Sequence, residues 1–302
     1  MGGATVAVVG DGVVGRRVRR AVDVTHRLVP RDLAADIVVL ATPGPQAPRA
    51  ADLVAAGTNV VCTAGALDDV REMLELDATA RSSGASLVVG AAVSPGLSGL
   101  LARILAERLE RCDELHIAVH GTAGPSCARE HHRALAGWAV GWHDGDWIER
   151  AAGSGRELCW FPEPVGARDC YRGELADPVL LRRNFHGVER ISARQSATRR
   201  DRLTARLPML SPPHAEGGIG ALRVEARGYR SDGAREALIL GIAELVGTAT
   251  AAVASAMVSV LAAADHAGGV ITTSDADVPT RDALDHVTRH GVRLQSFTGI
   301  PS

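Results

Sequence analysis

Three glycines near the N-terminus have the spacing of a phosphate-binding turn. They form a complete G-x-G-x-x-G at positions 10–15, after the apolar run 6–9 and before an arginine-rich stretch compatible with a helix. In such a unit the first glycine permits the tight turn, the second lets a pyrophosphate approach the backbone, and the third lets the helix pack on the strand. The unpaired N–H groups at the helix start favour anions, and a glycine turn without a ligand is the alternative. The residues that this motif assigns to a dinucleotide are Gly10, Asp11, Gly12, Val13, Val14 and Gly15.

The choice between NAD and NADP depends on residues near the end of a second strand, predicted at 25–29. Asp32 follows Gly15 by 17 residues, the distance at which a carboxylate can hold the ribose 2′-hydroxyl. Its neighbour Arg31 can pair with a 2′-phosphate instead, and Arg27 is a second candidate cation. Asp32 also fits a simple cap for the next segment. We expect NADP as the cofactor and keep NAD as the alternative.

Residues that follow the later strands are expected to line the same crevice. The carboxyl ends of parallel strands meet at one edge of a sheet, and ligands of such sheets bind there. A nicotinamide ring would meet its substrate at this edge. The residues expected there are Thr42, Pro43, Ala64 and Gly65 as cofactor contacts and Ser94 as a substrate contact.

The densest polar cluster lies at residues 120–133. Hydride transfer needs no covalent catalyst, because the cofactor performs the chemistry while the protein orients the substrate and moves one proton. Histidine is the natural group for that proton near neutral pH, and arginine is suited to clamp a carboxylate. The candidates for proton transfer are His120, His131 and His132, and those for substrate binding are Arg129 and Arg133.

Cys127 lies in the same cluster and leaves other interpretations open. It could be a nucleophile activated by a helix N-terminus, as acyl transfer in semialdehyde-type dehydrogenases requires. On a helix it would share a face with His131, so the two could bind zinc with a third ligand. A helix facing the cleft and a plain packing helix are the remaining alternatives. We expect no metal site.

Composition excludes several classes of protein. The net charge of −2 and the apolar content of 46% are typical of a globular protein and give no indication of nucleic-acid or membrane binding. Lysine is absent, so no Schiff-base lysine can act here. No signal peptide precedes the first strand, and the five cysteines form no C-x-x-C pair, which favours a cytoplasmic protein. The uncharged run 245–264 is rich in small residues and predicts a buried helix.

The elements that must position these residues alternate between strand and helix up to about residue 108. Such alternation predicts an α/β fold with a doubly wound parallel sheet of the Rossmann type. The helix after the glycine turn and the apolar strand at 36–41 lie close together in the sequence, so the first half of the sheet is expected to be shortened.

The character of the chain changes after residue 112. Two apolar runs flank Ser231-Asp232-Gly233, a hairpin signal, and short strands separated by turns surround it. We therefore predict a second, α+β domain with a mostly antiparallel sheet. The predicted division is 1–112 plus 245–302 for the dinucleotide-binding domain and 113–244 for the substrate and dimerisation domain.

Two segments besides the glycine motif carry a resemblance. They are AAGTNVVC at 55–62 and GASLVVGAAVSPGLS at 84–98, and the ending GVRLQSF at 291–297 adds to them. Together they resemble saccharopine dehydrogenase-like NAD(P)-dependent oxidoreductases over residues 1–110 and, more loosely, 220–302. The resemblance implies a Rossmann domain, an α+β domain used in dimerisation and substrate binding, a homodimer, and NAD(P)-linked C–N chemistry on amino acids. The chain departs from this pattern at 62–64 and at Ser94, where the family often has acidic or aromatic residues.

The sequence thus predicts an NAD(P)-dependent oxidoreductase that transfers hydride between nicotinamide and a small amino- or carboxyl-bearing metabolite. One alternative is a non-catalytic NAD(P)-binding sensor or accessory protein. The other is an acylating semialdehyde-type dehydrogenase that depends on Cys127.

Overall fold

The computed structural model describes residues 4–22, 24–209, 212–263 and 267–296. The chain divides into two compact units. The first comprises Met1–Leu97 and Gly247–Val292, and the second comprises Ser98–Val246 and Arg293–Ser302. The chain therefore leaves the first unit and later returns to it.

The first unit is a parallel sheet with helices between its strands. Its elements are β1 (Thr5–Val9), α1 (Val13–Val22), β2 (Arg27–Val29), β3 (Ile37–Leu40), α2 (Ala47–Ala55), β4 (Asn59–Cys62), α3 (Leu67–Leu74), α4 (Asp77–Ser83), β5 (Ser86–Val89), α9 (Val246–Ala263), β14 (Gly269–Thr272) and α10 (Thr280–Arg289). The strand order is β14-β5-β4-β3-β1-β2, and each of these pairs is parallel. The predicted Rossmann-type sheet is confirmed.

Apolar runs explain which strands are central. All four residues of β3 and all four of β5 are buried, as expected for strands covered on both faces. From β1 the chain passes through α1 to β2 on one side, and the connection 30–36 takes it to β3 on the other side, from which α2 leads on to β4. Right-handed crossovers in these opposite directions place α1 and α2 on opposite faces of the sheet. The strand order therefore reverses between β1 and β3, and ligands of open α/β sheets bind at such a switch point.

The first half of the sheet is shortened, as predicted. Residues 30–36 join β2 to β3 with neither a helix nor a further strand. The Asp36 carboxylate at the end of this connection accepts hydrogen bonds from the Thr5 backbone N–H (2.7 Å) and hydroxyl (2.6 Å). These bonds fasten the short crossover to the start of β1.

Two elements of the first unit differ from expectation. The sequence pattern of residues 68–83 predicts one helix, whereas the structure divides this stretch into α3 and α4. The Asp77 side chain, at the division, accepts the backbone N–H of Val270 at 2.8 Å and pairs with Arg81 at 2.9 Å. The second difference is the strand β14, which contains Val270. It has four residues and begins with glycine, and the sequence pattern did not predict it.

The helix α9 is long and apolar enough to cross a membrane, with a mean hydropathy of 1.8, yet 72% of it is buried inside this structure. Its serines provide polar attachment points within the first unit. Ser255 Oγ lies 3.0 Å from His286 Nε2 of α10, and Ser259 Oγ lies 3.1 Å from His26 Nε2. The burial agrees with the core helix expected from its small residues.

The second unit contains one large mixed sheet. Its elements are α5 (Leu97–Ala106), β6 (Arg111–His120), α6 (Pro125–Arg133), β7 (Trp138–His143), β8 (Asp146–Ala151), β9 (Glu157–Trp160), β10 (Ala167–Arg172), α7 (Asp177–Asn184), β11 (Arg190–Ser196), α8 (Arg199–Thr204), β12 (Ile219–Tyr229), β13 (Arg235–Leu245) and β15 (Gln295–Ser296). The strand order is β15-β13-β12-β6-β11-β10-β9, with the β7–β8 hairpin attached to β11. Only β6 and β11 pair in parallel among the described strands of this sheet, so the expected mostly antiparallel sheet is confirmed.

The boundaries of the two units differ from the predicted division at two places. Residues 98–112 belong to the second unit because α5 is attached to the region of α7. Ser98 Oγ donates a hydrogen bond to Asp177 Oδ1 at 2.5 Å, and the Arg103 guanidinium lies 4.6 Å from the ring of Phe185. Residues 293–296 also belong to it, since β15 pairs with β13. The sequence predicts a final strand at 292–297, and its last residue, Phe297, lies outside the described residues.

Candidate functional site

The glycine turn after β1 has three distinct steric environments. Gly10 has φ +133°, and a Cβ built on it would lie 2.3 Å from the carbonyl oxygen of Ala41. A Cβ on Gly15 would lie 2.0 Å from the carbonyl oxygen of Gly10, so α1 packs directly on the turn. A Cβ on Gly12 would meet nothing within 4 Å. Packing therefore requires glycine at positions 10 and 15 and leaves open space at position 12.

The helix α1 begins at this open position. The Arg16 N–H donates to the Gly12 carbonyl at 3.0 Å, which is the first hydrogen bond of the helix. The N–H groups of the four residues from Gly12 to Gly15 precede that bond and have no partner within the helix. They lie at the switch point, since Gly10 follows β1 and Ala41 follows β3. This arrangement offers backbone donors to an anion.

Arg31 reaches the glycine turn, and Asp32 does not. The Asp11 carboxylate pairs with Arg31 at 3.2 Å and with Arg19 at 2.8 Å. Arg16 Nη1 also donates to the Asp11 carbonyl oxygen at 3.0 Å. Asp32 is exposed and makes no hydrogen bond or ion pair with another described residue. Three arginines and one carboxylate thus surround the outer side of the turn.

A buried glutamine holds together two of the loops at the same edge of the sheet. Gln46 is 1% exposed, and its Nε2 donates to the Thr42 carbonyl at 2.7 Å while its Oε1 accepts the Ala64 N–H at 3.2 Å. Its own N–H donates to both oxygens of the Asp69 carboxylate, which also accepts the N–H of Ala47 at 2.8 Å. Sequence reasoning missed Gln46 and Asp69; two successive acidic residues at the start of α3 were the available signal.

The loop after β5 completes this edge. A Cβ on Gly65 would lie 3.0 Å from Pro95 Cδ and 3.3 Å from the Ser94 carbonyl oxygen. Gly96 has φ +138°, and its carbonyl accepts the hydroxyl of Thr273 at 2.7 Å. The sequence favours a helix that begins at Pro95, because proline fits the first turn of a helix, but in the structure Pro95 lies in the turn that precedes α5. The structure therefore gathers the predicted edge residues of the first unit, Thr42, Pro43, Ala64, Gly65 and Ser94, in the loops that follow β3, β4 and β5.

In the second unit two of the candidate histidines meet at one serine. His120 Nδ1 lies 2.7 Å from Ser196 Oγ, and His131 Nε2 lies 3.0 Å from the Ser196 carbonyl oxygen. Burial, together with the charges of Arg168 and His131, lowers the pKa of His120 to about 4. Burial likewise lowers the pKa of His131. Both imidazoles are therefore neutral at pH 7. Sequence reasoning missed Ser196, at the end of a strand whose polar and apolar residues alternate.

The other candidates on α6 do not join this group. His132 is 7% exposed, and its Nε2 lies 2.9 Å from the Thr204 carbonyl oxygen, so it anchors α8. Arg129 and Arg133 are exposed. Burial raises the pKa of the Cys127 thiol, which opposes formation of a reactive thiolate. No group of three or more potential metal ligands occurs within residues 4–22, 24–209, 212–263 and 267–296.

No protein-family model and no curated protein matches this sequence. Solved structures do match it. Apo saccharopine dehydrogenase (L-Glu forming) from Saccharomyces cerevisiae has a TM-score of 0.66 and 12% identity, over 98% of this chain and 100% of that one. The DAP dehydrogenase of C. glutamicum, in complex with DAP, has a TM-score of 0.49 and 13% identity, over 96% of this chain. The likeness to the first shows a shared fold, which is the fold that the sequence resemblance implies.

Proposed function

We propose that this chain is an NAD(P)-dependent oxidoreductase that transfers hydride between nicotinamide and a small amino- or carboxyl-bearing metabolite. The observation that carries the proposal is the open space at Gly12. Neither packing nor an unusual φ requires glycine there, whereas both of its partners in the motif are confined by backbone atoms. Close approach of a ligand explains a glycine at that position.

The residues of the turn fit the pyrophosphate of a dinucleotide. The N–H groups from Gly12 to Gly15 would donate to its oxygens, and α1 has no acidic residue in its first turn to repel it. Arg31, beside the turn, supports NADP because a guanidinium can pair with a 2′-phosphate. Asp11 competes for that guanidinium, so NAD remains the alternative cofactor.

The nicotinamide, when bound, supplies or accepts the hydride. The chain's own task is to bind the substrate and move one proton. His120, whose Nδ1 is held by Ser196, would accept that proton when the substrate is oxidised and return it when the substrate is reduced. Arg129 and Arg133, both exposed, remain the proposed partners for a substrate carboxylate. The raised pKa of Cys127 argues against the thiol-dependent alternative.

Cofactor binding is the first test. We expect NADPH or NADH to raise the free energy of unfolding by about 2.7 kcal/mol at 100 times its dissociation constant. Gly12→Val should retain the fold and lose this stabilisation, because its side chain would occupy the pyrophosphate position. Gly187→Val is the matched control, since a Cβ at Gly187 also meets nothing within 4 Å.

Two results would count against the proposal. One is a melting temperature that neither dinucleotide changes. The other is unchanged cofactor affinity in Gly12→Val. If the dinucleotide binds, turnover of amino acids and oxo acids by the same preparation separates an enzyme from a sensor.

A further inference from the structure

Two arginines face each other directly across neighbouring strands of the second unit. Arg172 of β10 and Arg194 of β11 are Cα partners in the antiparallel ladder. Only 17% of the Arg194 side chain is exposed, and Arg172 is also partly buried. Like charges placed opposite one another in a sheet are destabilising. This pair therefore needs a compensating feature.

The two guanidinium groups converge on the loop between β8 and β9. Arg172 Nη1 lies 3.4 Å from Ser154 Oγ, and Arg194 Nη1 donates to the Gly155 carbonyl oxygen. A Cβ on Gly155 would lie 2.0 Å from Arg172 Nη1, so the guanidinium lies directly against the backbone of this loop. The Ser154 hydroxyl itself donates to the Ala151 carbonyl at 2.5 Å. The loop thus holds the two side chains with oxygen acceptors and leaves further N–H donors on each of them.

The positive charge of this cluster exceeds its negative charge. Glu157 pairs with Arg194 at 2.7 Å, while Arg172 forms no ion pair with any described residue. Burial, Arg194 and Arg150, in that order, hold the pKa of the Arg172 guanidinium below its usual value, against the opposite effect of Glu157. Arg172, Arg194 and the one carboxylate of Glu157 leave an excess of one positive charge.

We propose that Arg172 and Arg194 bind the phosphate group of a small phosphorylated metabolite. Such a group presents three acceptor oxygens, so both guanidinium groups can donate to it at once, while Glu157 balances only one of their two charges. Guanidinium groups suit this ligand because their planar forks donate paired hydrogen bonds to phosphate oxygens. The site belongs wholly to the second unit and does not involve the glycine turn.

The test uses the full chain and inorganic phosphate. Binding is measured by calorimetry and by the shift in melting temperature, with sodium chloride at matched ionic strength as the reference. Arg172→Gln and Arg194→Gln should each weaken phosphate binding at least tenfold. Arg168→Gln is the matched control, because Arg168 lies on the same strand, is exposed, and bonds to its own strand at the Ala167 carbonyl. We expect its phosphate affinity to stay within twofold of the wild type.

Stability without phosphate gives an independent signature. Removing one of two opposed charges should leave the melting temperature of Arg172→Gln equal to or above that of the wild type in chloride, and below it in phosphate. NADPH affinity should be unchanged in this variant, so failure of the phosphate site and failure of the dinucleotide site are distinguishable. Glycerol phosphate should bind at least as tightly as inorganic phosphate if the natural ligand is a monoester.

Three results would overturn the proposal. The first is an equal response of the wild type to phosphate and to chloride. The second is equal weakening of binding in Arg168→Gln and Arg172→Gln, which would indicate general attraction by surface charge. The third is tighter binding of succinate than of phosphate, which would assign the cluster to carboxylates.

Discussion

The Asp69 carboxylate accepts the backbone N–H of Gln46 with both of its oxygens, at 2.9 and 2.8 Å. This contact joins the start of α3 to the start of α2, and neither residue is more than 5% exposed. The Gln46 side chain in turn bridges the loops that follow β3 and β4. One buried carboxylate therefore stabilises the edge of the sheet at which we propose that the cofactor binds.

Replacing Asp69 with alanine should lower the free energy of unfolding by about 3 kcal/mol. The reason is that the N–H groups of Gln46 and Ala47 would lose a charged acceptor while remaining buried. Chemical denaturation measures the effect. Asp68→Ala is the control, since the Asp68 side chain is 83% exposed and lies 3.7 Å from Arg71. Equal losses in the two variants would contradict this role of Asp69.

Alanine substitutions at Gly12 and at Gly15 should have very different effects on the free energy of unfolding. At Gly15 the new methyl group would overlap the Gly10 carbonyl, and forcing the backbone apart should cost about 3 kcal/mol or more. At Gly12 the methyl group would point into open space, so the change should stay within about 0.5 kcal/mol. Thermal melting of the cofactor-free variants tests this, and similar melting temperatures would be evidence against the described turn.

Arg31→Gln should raise the dissociation constant of NADPH about tenfold, because a charge-assisted contact with the 2′-phosphate is lost. NADH affinity should change by less than twofold. Fluorescence titration of both cofactors measures the two constants. Arg20→Gln removes the same charge from an exposed position on α1 and serves as the control. Equal losses of affinity for NADPH and for NADH in Arg31→Gln would show that Arg31 does not contact the 2′-phosphate.

Stability should decrease as the pH falls from 7 to 5. Burial, with the charges of His290, Arg289 and His26, lowers the pKa of His286 from 6.5 to about 4. The unfolded chain therefore binds a proton more readily than the folded one between pH 6.5 and 4, and stability rises with pH across that window. His286 alone should contribute up to about 2 kcal/mol of the loss.

His286→Gln should flatten this dependence, as measured by urea denaturation at pH 7 and pH 5. His214→Gln, at an exposed position, should leave it unchanged. The lowered pKa of His120 has the same sign and adds to the slope in both variants. A slope in His286→Gln as steep as that of the wild type would show that this histidine does not drive the acid sensitivity.

His120→Gln and His132→Gln should separate catalysis from structure. Loss of a group that accepts the proton typically lowers turnover about 10²- to 10⁴-fold, whereas His132 only anchors α8. We therefore expect His120→Gln to reduce kcat with little change in stability, and His132→Gln to reduce stability with kcat retained. The wild-type rate should also remain high down to about pH 4, the pKa of His120. Reduced stability in His120→Gln together with reduced kcat in His132→Gln would assign the structural role to His120 and the catalytic role to His132.

Local sequence patterns predicted the strand–turn–helix at 5–21 and a hairpin with strands at 222–229 and 236–242. Each depends on residues close together in the chain: a glycine turn between an apolar run and a helix, and a turn signal between two apolar runs. The shortened first half of the sheet was also predictable, because its connection is too short for a further helix and strand. The strand β14 was not, since four residues beginning with glycine carry little pattern.

The functional contacts depend on strand register and on the approach of segments that lie far apart in the sequence. No local pattern encodes either of them. His120 meets Ser196, more than 60 residues away, because β6 and β11 pair in parallel, and His131 of α6 reaches the carbonyl of the same serine. A shift of register by one residue would turn every side chain of a strand to the other face. The opposed arginines at 172 and 194 arise from a second register, that of the antiparallel pair β10 and β11. Glycine spacing, apolar runs and the absence of lysine are properties of the chain itself, whereas these pairings exist only once the sheet has formed.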